Sequence, residues 1–338
     1  MSRASGLLCL RVTALALSVV IASEALAEII IRQPETIGHF DVQKHNEAQF
    51  KSGFPFRVKP KVSQLGDVEL RRHIDSLNLS TLGGIRIEAL DIDKGNNIVV
   101  GTTIPNASIA INIVEKSKKG RDIVVSVRNS SGSFSKVEKN QVGVFDLEGK
   151  PLNFELLRIS ESTIEVYFEV LLDRSGSMSS YIKDVVAAAS EFMDLLPKNA
   201  KCRVTSFNHN FTSHSKGYAP CKADVHGLKG MEAGGGTLIY EPLLNSYEQL
   251  GKAGNKLKAV IVITDGMGQS KITKADVLKK KTAPTYLYWL GSYKEEQLEG
   301  IADTYIYGKQ DLKKVLSAFF STIGSAVNSQ HVISTTNP

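Results

Sequence analysis

The 338-residue chain contains only three cysteines and ten prolines, and after its first 27 residues no stretch approaches the ~18 continuous apolar residues that a membrane-spanning helix needs. Ten prolines beside 27 glycines, with 42% hydrophobic and 22% charged residues, exclude collagen-like, coiled-coil and wholly disordered chains. Charge of one sign is scarce as well. Lys and Arg number 41 against 35 Asp and Glu, a formal net charge of +6, and no basic arm or one-sided stripe gathers the excess. Nucleic acid is therefore not an expected partner. Gly-x4-Gly-Lys-Ser/Thr is absent too, which removes a nucleotide-binding phosphate loop. What remains is an average globular composition on a length that suits two domains.

The N-terminus reads as an export signal. Arg3 and Arg11 precede an apolar run from Val12 to Ala22, and Ala25-Leu26-Ala27 supplies the small-x-small pattern of a signal-peptidase site. Eleven residues rise only about 16 Å as a helix, roughly half of a ~30 Å hydrocarbon core, so the run is too short for an anchor. Removing residues 1–27 takes away two Arg and one Glu and leaves a mature net charge of +5. The expected location is the periplasm, the cell surface or the extracellular space, with no membrane span in the mature chain. Cys9 leaves with the signal, and Cys202 and Cys221 remain. In an exported chain these two most simply form one disulfide, whose loop closure would contribute about 3 kcal/mol. His209 and His214 lie between them, so a Cys/His zinc set is the alternative, although its spacing matches no compact finger.

From residue 28 to 160 the chain carries short β-rich runs separated by turn residues: Gly84 to Ile92, Asn97 to Ile104, Ser108 to Val114, Asp122 to Arg128, Gln141 to Asp146 and Leu152 to Ile159. Their spacing predicts a sandwich-like antiparallel domain, with one short helix near Val68 to Leu77. From 161 to 328 apolar strands alternate with helical periodicity. That pattern predicts an α/β fold: a doubly wound, mainly parallel sheet covered on both faces. Its last helix places Leu312, Val315, Leu316, Phe319, Ile323 and Val327 on one stripe. Residues 329–338 are expected to be a flexible polar tail.

The chemistry concentrates where predicted strands end. Val170-Leu171-Leu172 runs into Asp173-Arg174-Ser175-Gly176-Ser177, so three oxygen side chains leave a strand at alternate positions. Gly234-Gly235-Gly236-Thr237 precedes a helix, and Ile261-Val262-Ile263 leads into Thr264-Asp265-Gly266. In open α/β sheets ligands bind outside the carboxyl ends of the strands, so all three loops belong to one candidate edge. Asp173 and Ser175 alone could simply cap the next helix. Thr237 and Asp265 at separate strand ends argue instead for a shared cation site.

This set, Asp-x-Ser-x-Ser with a later Thr after glycines and a later Thr-Asp-Gly, resembles the metal-ion-dependent adhesion site of the von Willebrand factor type A family. The resemblance covers about residues 161 to 325. It implies hydroxyl ligands from Ser175, Ser177 and Thr237, with Asp173 and Asp265 acting directly or through water. Such hard oxygen donors suit Mg²⁺, or Mn²⁺ or Ca²⁺, rather than a thiolate-seeking ion. The implied partner is a protein whose Asp or Glu carboxylate completes the coordination, in adhesion or another metal-dependent contact. No His accompanies the motifs and both carboxylates are committed to the ion, so no catalytic residue is assigned. A metal-dependent enzyme, a chelatase-like accessory and a structural envelope component are the alternatives.

Overall fold

The computed structural model describes the chain from Thr81 to Thr336 apart from short internal gaps, among them 92–97, 291–294 and 308–311. The expected signal segment and the expected helix near Val68 to Leu77 lie outside the described residues. The first part of the described chain is built from strands, with one 3₁₀ turn (Lys139–Gln141) before β6: β1 (Thr81–Leu82), β2 (Ile85–Asp91), β3 (Ile98–Thr102), β4 (Ser108–Lys116), β5 (Gly120–Arg128), β6 (Val142–Phe145) and β7 (Phe154–Arg158). Every pairing among them is antiparallel. β1, β2, β3 and β6 form one four-stranded sheet in that order. Ile98 and Val100 of β3 and Val142 and Val144 of β6 share an apolar cluster with Ile109, Ile111, Ile123, Val125 and Val127 of β4 and β5. Two antiparallel sheets thus face one another across a common core.

The chain then enters an alternating region: β8 (Val166–Asp173), α1 (Ile182–Leu195), β9 (Ala200–Phe207), β10 (Phe211–Ser213), β11 (Ala219–Pro220), α2 (Tyr240–Lys252), β12 (Leu257–Thr264), α3 (Lys274–Lys280), β13 (Thr285–Trp289), α4 (Glu295–Leu298), β14 (Thr304–Tyr307) and α5 (Leu312–Asn328). The sheet order is β10-β9-β8-β12-β13-β14, with β11 pairing on β9. β8, β9, β12, β13 and β14 are parallel, and only the short β10 and β11 run against them. Alternate residues of each parallel strand enter opposite apolar layers. Val170 and Leu172 of β8 and Ile261 and Ile263 of β12 pack with Val185, Phe192 and Met193 of α1 and Leu316, Phe319 and Phe320 of α5. Leu171, Val260, Val262, Leu287 and Trp289 pack instead with Leu243, Tyr247 and Leu250 of α2 and Val277 of α3. Burial on both faces explains why β8 and β12 read as continuous apolar runs rather than alternating ones.

The C-terminal residues depart from expectation. The segment 329–338, expected as a flexible tail, supplies β15 (His331–Thr336), which lies between β5 and β7 in a sheet ordered β4-β5-β15-β7. Val332 opposes Val124 of β5 and Leu157 of β7, and Ile333 opposes Ile123 and Leu156. The β-rich unit is therefore not confined to residues 28–160: it is completed from beyond the α/β region, which is inserted between β7 and β15. Ile333 points into the cluster between the two antiparallel sheets, whereas Val332 joins Ile113, Val124, α1 and α5 in the core of the α/β unit. A buried polar link reinforces this seam. The Asn112 amide donates to Gln330 Oε1 and to Ser126 Oγ (3.3 Å), while Gln330 Nε2 donates to the carbonyl of Ala326 in α5 (2.9 Å). Ile333→Ala is expected to cost about 2–5 kcal/mol in a denaturant titration, by loss of burial and a residual cavity. Thr336→Ala, at the exposed end of β15, is expected to stay within about 0.5 kcal/mol. A frayed segment would leave both variants neutral.

Cys202 in β9 and Cys221, which begins a 3₁₀ segment, are joined by a disulfide. Both are buried in the α1 and α5 layer. The Cys/His zinc alternative is thereby set aside, because both sulfurs are bonded to each other and His214 Nε2 lies 2.7 Å from Ser206 Oγ.

Candidate functional site

The order of the parallel strands locates a crevice. From β8 the chain crosses to β9 on one side, whereas β12 lies on the other side of β8 and leads away to β13. Connections leaving in opposite directions open a gap above the carboxyl ends of β8 and β12, the usual ligand position in such sheets. Ile263 pairs with Leu172, so Thr264 and Asp173, the next residue of each strand, emerge side by side.

Asp173 has no exposed surface, and an isolated carboxylate there would be costly. Two donors support it: the Thr264 hydroxyl donates to Oδ2 (2.5 Å) and the Ser175 N–H donates to Oδ1 (2.7 Å). Burial pushes the Asp173 carboxyl up from its ordinary pKa and the Asp265 charge adds to the rise, while the Thr264 and Ser175 hydrogen bonds oppose it. Neither Asp173 nor Ser175 is spent on capping. Ser175 precedes a 3₁₀ turn at Gly176–Ser180 without a side-chain cap bond, and the residue preceding α1 is Tyr181.

The hydroxyls continue outward from this base. Ser175 Oγ and Ser177 Oγ lie 3.2 Å apart, and Ser177 Oγ donates to Asp265 Oδ1 (2.8 Å). The glycine loop is drawn onto the first loop by two main-chain bonds, Gly234 N–H to Arg174 O (2.8 Å) and Gly176 N–H to Gly235 O (2.9 Å). Gly235 occupies the left-handed region, φ 81°. On its other side, Gly268 sits so close to the Thr237 main chain that a Cβ there would overlap the Thr237 carbonyl. The fold thus brings Asp173, Ser175, Ser177 and Asp265 into one hydrogen-bonded chain, and it places the main chain of Thr237 against the loop that follows Asp265.

The sequence marked Thr264 only as part of the Thr-Asp-Gly motif, and it gave Asn208 no role. Thr264 reads as the last residue of a strand, yet its hydroxyl also accepts from the Gly266 N–H (3.3 Å), so it orients Asp173 and shapes the Asp265 turn together. Asn208, at the end of β9, donates from Nδ2 to Gly234 O (2.7 Å). His209 is exposed, and its ring lies against Gly235. The other buried acid nearby, Glu169, is engaged elsewhere. It pairs with Arg203 Nε (2.7 Å) and accepts from Tyr218 (2.6 Å) and Ser246 (3.0 Å) on the α2 face of the sheet.

Among the described residues no group of three or more His, Cys, Asp or Glu could hold a metal ion. An ion at this edge would therefore draw on hydroxyls as well as carboxylates, and the donor set is all hard oxygen, which fits Mg²⁺, Mn²⁺ or Ca²⁺.

Residues 169–267 match the family model of the von Willebrand factor type A domain. That span runs from mid-β8 past Asp265 and contains every residue of the candidate site. No curated protein matches the chain by sequence. Among solved structures, a von Willebrand factor type A protein from Catenulispora acidiphila is 15% identical, over 66% of this chain and 50% of that one, with a TM-score of 0.43. Proximal thread matrix protein 1 from the mussel byssus, solved with a zinc-occupied metal-ion-dependent adhesion motif, is 15% identical over 54% of this chain and 50% of that one, with a TM-score of 0.42. The von Willebrand factor domain of the type V pili tip protein Mfa5 from Porphyromonas gingivalis is 17% identical over 34% and 44%, with a TM-score of 0.30. The chain thus spans half or less of the length of these structures.

Gly268→Ala is expected to force the Thr237 and Asp265 loops of the α/β region apart and to destabilise the protein by roughly 1–3 kcal/mol, read from a denaturant midpoint. Gly266→Ala, where an added Cβ meets nothing within 4 Å, is the control and should stay within about 0.5 kcal/mol.

Proposed function

We propose that the type A region binds one divalent cation through Ser175, Ser177 and Thr237, with Asp173 and Asp265 acting directly or through water, and uses it to hold a carboxylate of a protein partner. The observation that carries this reading is the convergence of hard oxygens at the β8–β12 crevice: a buried carboxylate, two serine hydroxyls 3.2 Å apart and a second carboxylate 2.8 Å from the nearer serine. Asp173 holds the Ser175 main chain and so sets the direction in which the two hydroxyls leave the strand. Asp265 accepts from Ser177 and supplies the second negative charge. When bound, the ion supplies an electrophilic centre whose exchangeable water can give way to an acidic side chain from outside. Mg²⁺ is the first candidate, with Mn²⁺ and Ca²⁺ as substitutes.

The region acts as a binding module rather than as an enzyme on this reading, since its acids serve the cation and Glu169 is occupied by Arg203. The protein works outside the cytoplasm. That placement is supported by the apolar run from Val12 to Ala22, preceded by Arg3 and Arg11 and followed by the small-x-small pattern Ala25-Leu26-Ala27, and by the Cys202–Cys221 disulfide, a bond that persists in oxidising compartments. Among the described residues no helix is long and apolar enough to cross a membrane.

Isothermal calorimetry with Mn²⁺ and Mg²⁺ tests the reading. The wild-type protein should give saturable heat for one ion. Thr237→Ala and Asp265→Ala should each weaken the affinity at least about tenfold, a loss of ~1.4 kcal/mol. Immobilised protein should retain partners from a cell-surface extract in Mg²⁺ and release them in chelator. Absence of heat with either ion in the wild type overturns the proposal.

A further inference from the structure

The glycine loop that carries Thr237 cannot fix its own shape. Three consecutive glycines allow a wide range of main-chain conformations, so a hydroxyl at their end is presented accurately only if something else holds them. The end of β9 does so at two points, one on each side of Thr237. Asn208 Nδ2 donates to Gly234 O (2.7 Å), and Asn208 O accepts from the Leu238 N–H (2.7 Å).

The Asn208 amide is itself oriented. Its Oδ1 accepts from the Asn210 N–H (3.0 Å), which leaves Nδ2 directed at Gly234, and the Asn208 N–H donates to Asn210 O (2.7 Å). Only 3% of the residue is exposed, so water does not compete for these bonds. The same corner is tied to the first loop: Arg174 N–H donates to Phe207 O (2.7 Å) and Arg174 O accepts from Gly234 N–H (2.8 Å). The outer face of Gly235 is covered by His209, the next residue along.

We propose that Asn208 is the positioning residue of the cation site, holding Gly234–Leu238 so that the Thr237 hydroxyl is presented at the β8–β12 crevice. The inference rests on the cation-binding reading above and adds a residue outside the Asp-x-Ser-x-Ser, Thr and Asp motifs. Asn is required because the position must donate at one end of the side chain and accept at the other. Asp keeps the shape and the acceptor but loses the donor.

The test is a double-mutant cycle read as Mn²⁺ affinity by calorimetry, with circular dichroism and melting of the metal-free proteins recorded in parallel. Asn208→Ala should weaken Mn²⁺ binding about 10- to 100-fold, the range for residues that orient ligands. In a Thr237→Ala background the same substitution should have less than about a twofold further effect, because the hydroxyl it serves is gone. Asn208→Asp covers the case in which Asn208→Ala does not fold. An added negative charge alone would tighten a cation, so weaker binding by Asn208→Asp reports loss of the donor to Gly234. Unchanged affinity in Asn208→Ala, equal losses in both backgrounds, or tighter binding by Asn208→Asp each overturns the inference while leaving cation binding intact. A wild-type protein without Mn²⁺ heat overturns both.

Discussion

A carboxylate closed off from water at the end of the central strand sets the terms for everything around it. Asp173 is tolerable in that position only because Thr264 and the Ser175 main chain donate to its two oxygens. The first donor requires β12 to be the neighbour of β8 in the Leu172–Ile263 register. The second requires the chain to turn at once, which sends Ser175 and Ser177 out along the sheet edge. Burial of one acid therefore selects the strand pairing, the loop and the direction of the hydroxyls together. The glycine loop adds the remaining side of the pocket, and it stays thin because bulk at Gly235 would meet His209, while bulk at Gly268 in the loop after Asp265 would meet the Thr237 main chain.

The second organising feature is the seam between the two units. α5 covers the face of the parallel sheet that carries Val170, Leu172, Ile261 and Ile263, and it ends at Asn328, with only Ser329 and Gln330 between it and β15. β15 is apolar on both faces, with Ile333 toward the antiparallel core and Val332 toward the α/β core. The Asn112–Gln330 hydrogen bond and the Gln330 bond to Ala326 fix the chain where it passes from one core to the other. The units are therefore joined by shared packing as well as by covalent linkage, so an end of α5 cannot move without disturbing a central strand of the neighbouring sheet.

Much of this architecture was legible in the amino-acid sequence. Runs such as Val170-Leu171-Leu172 and Ile261-Val262-Ile263 are apolar at every position because both faces of their sheet are covered, and the polar loops that follow marked their carboxyl ends. The antiparallel strands were visible through their spacing and turns. β15 was not. His331-Val-Ile-Ser-Thr-Thr336 is short and apolar only at Val332 and Ile333, and its partners are Gly120–Val125 and Phe154–Arg158, far back in the chain. Its strand character comes from those partners rather than from its own composition. Asn208 was hidden for a related reason: an Asn after a strand reads as a turn residue, and only the folded loop reveals that its amide reaches Gly234. Thr264 was visible as part of a motif, but its service to Asp173 depends on the pairing of two strands.

The placement of β15 also bears on how the molecule is made. A polypeptide emerging N-terminus first acquires β5 and β7 long before the strand that must lie between them, so during synthesis that sheet has a vacant slot with two unsatisfied edges. Closing it pairs residues as far apart in the chain as Arg158 and His331, a non-local contact of the kind whose loop-closure cost slows folding.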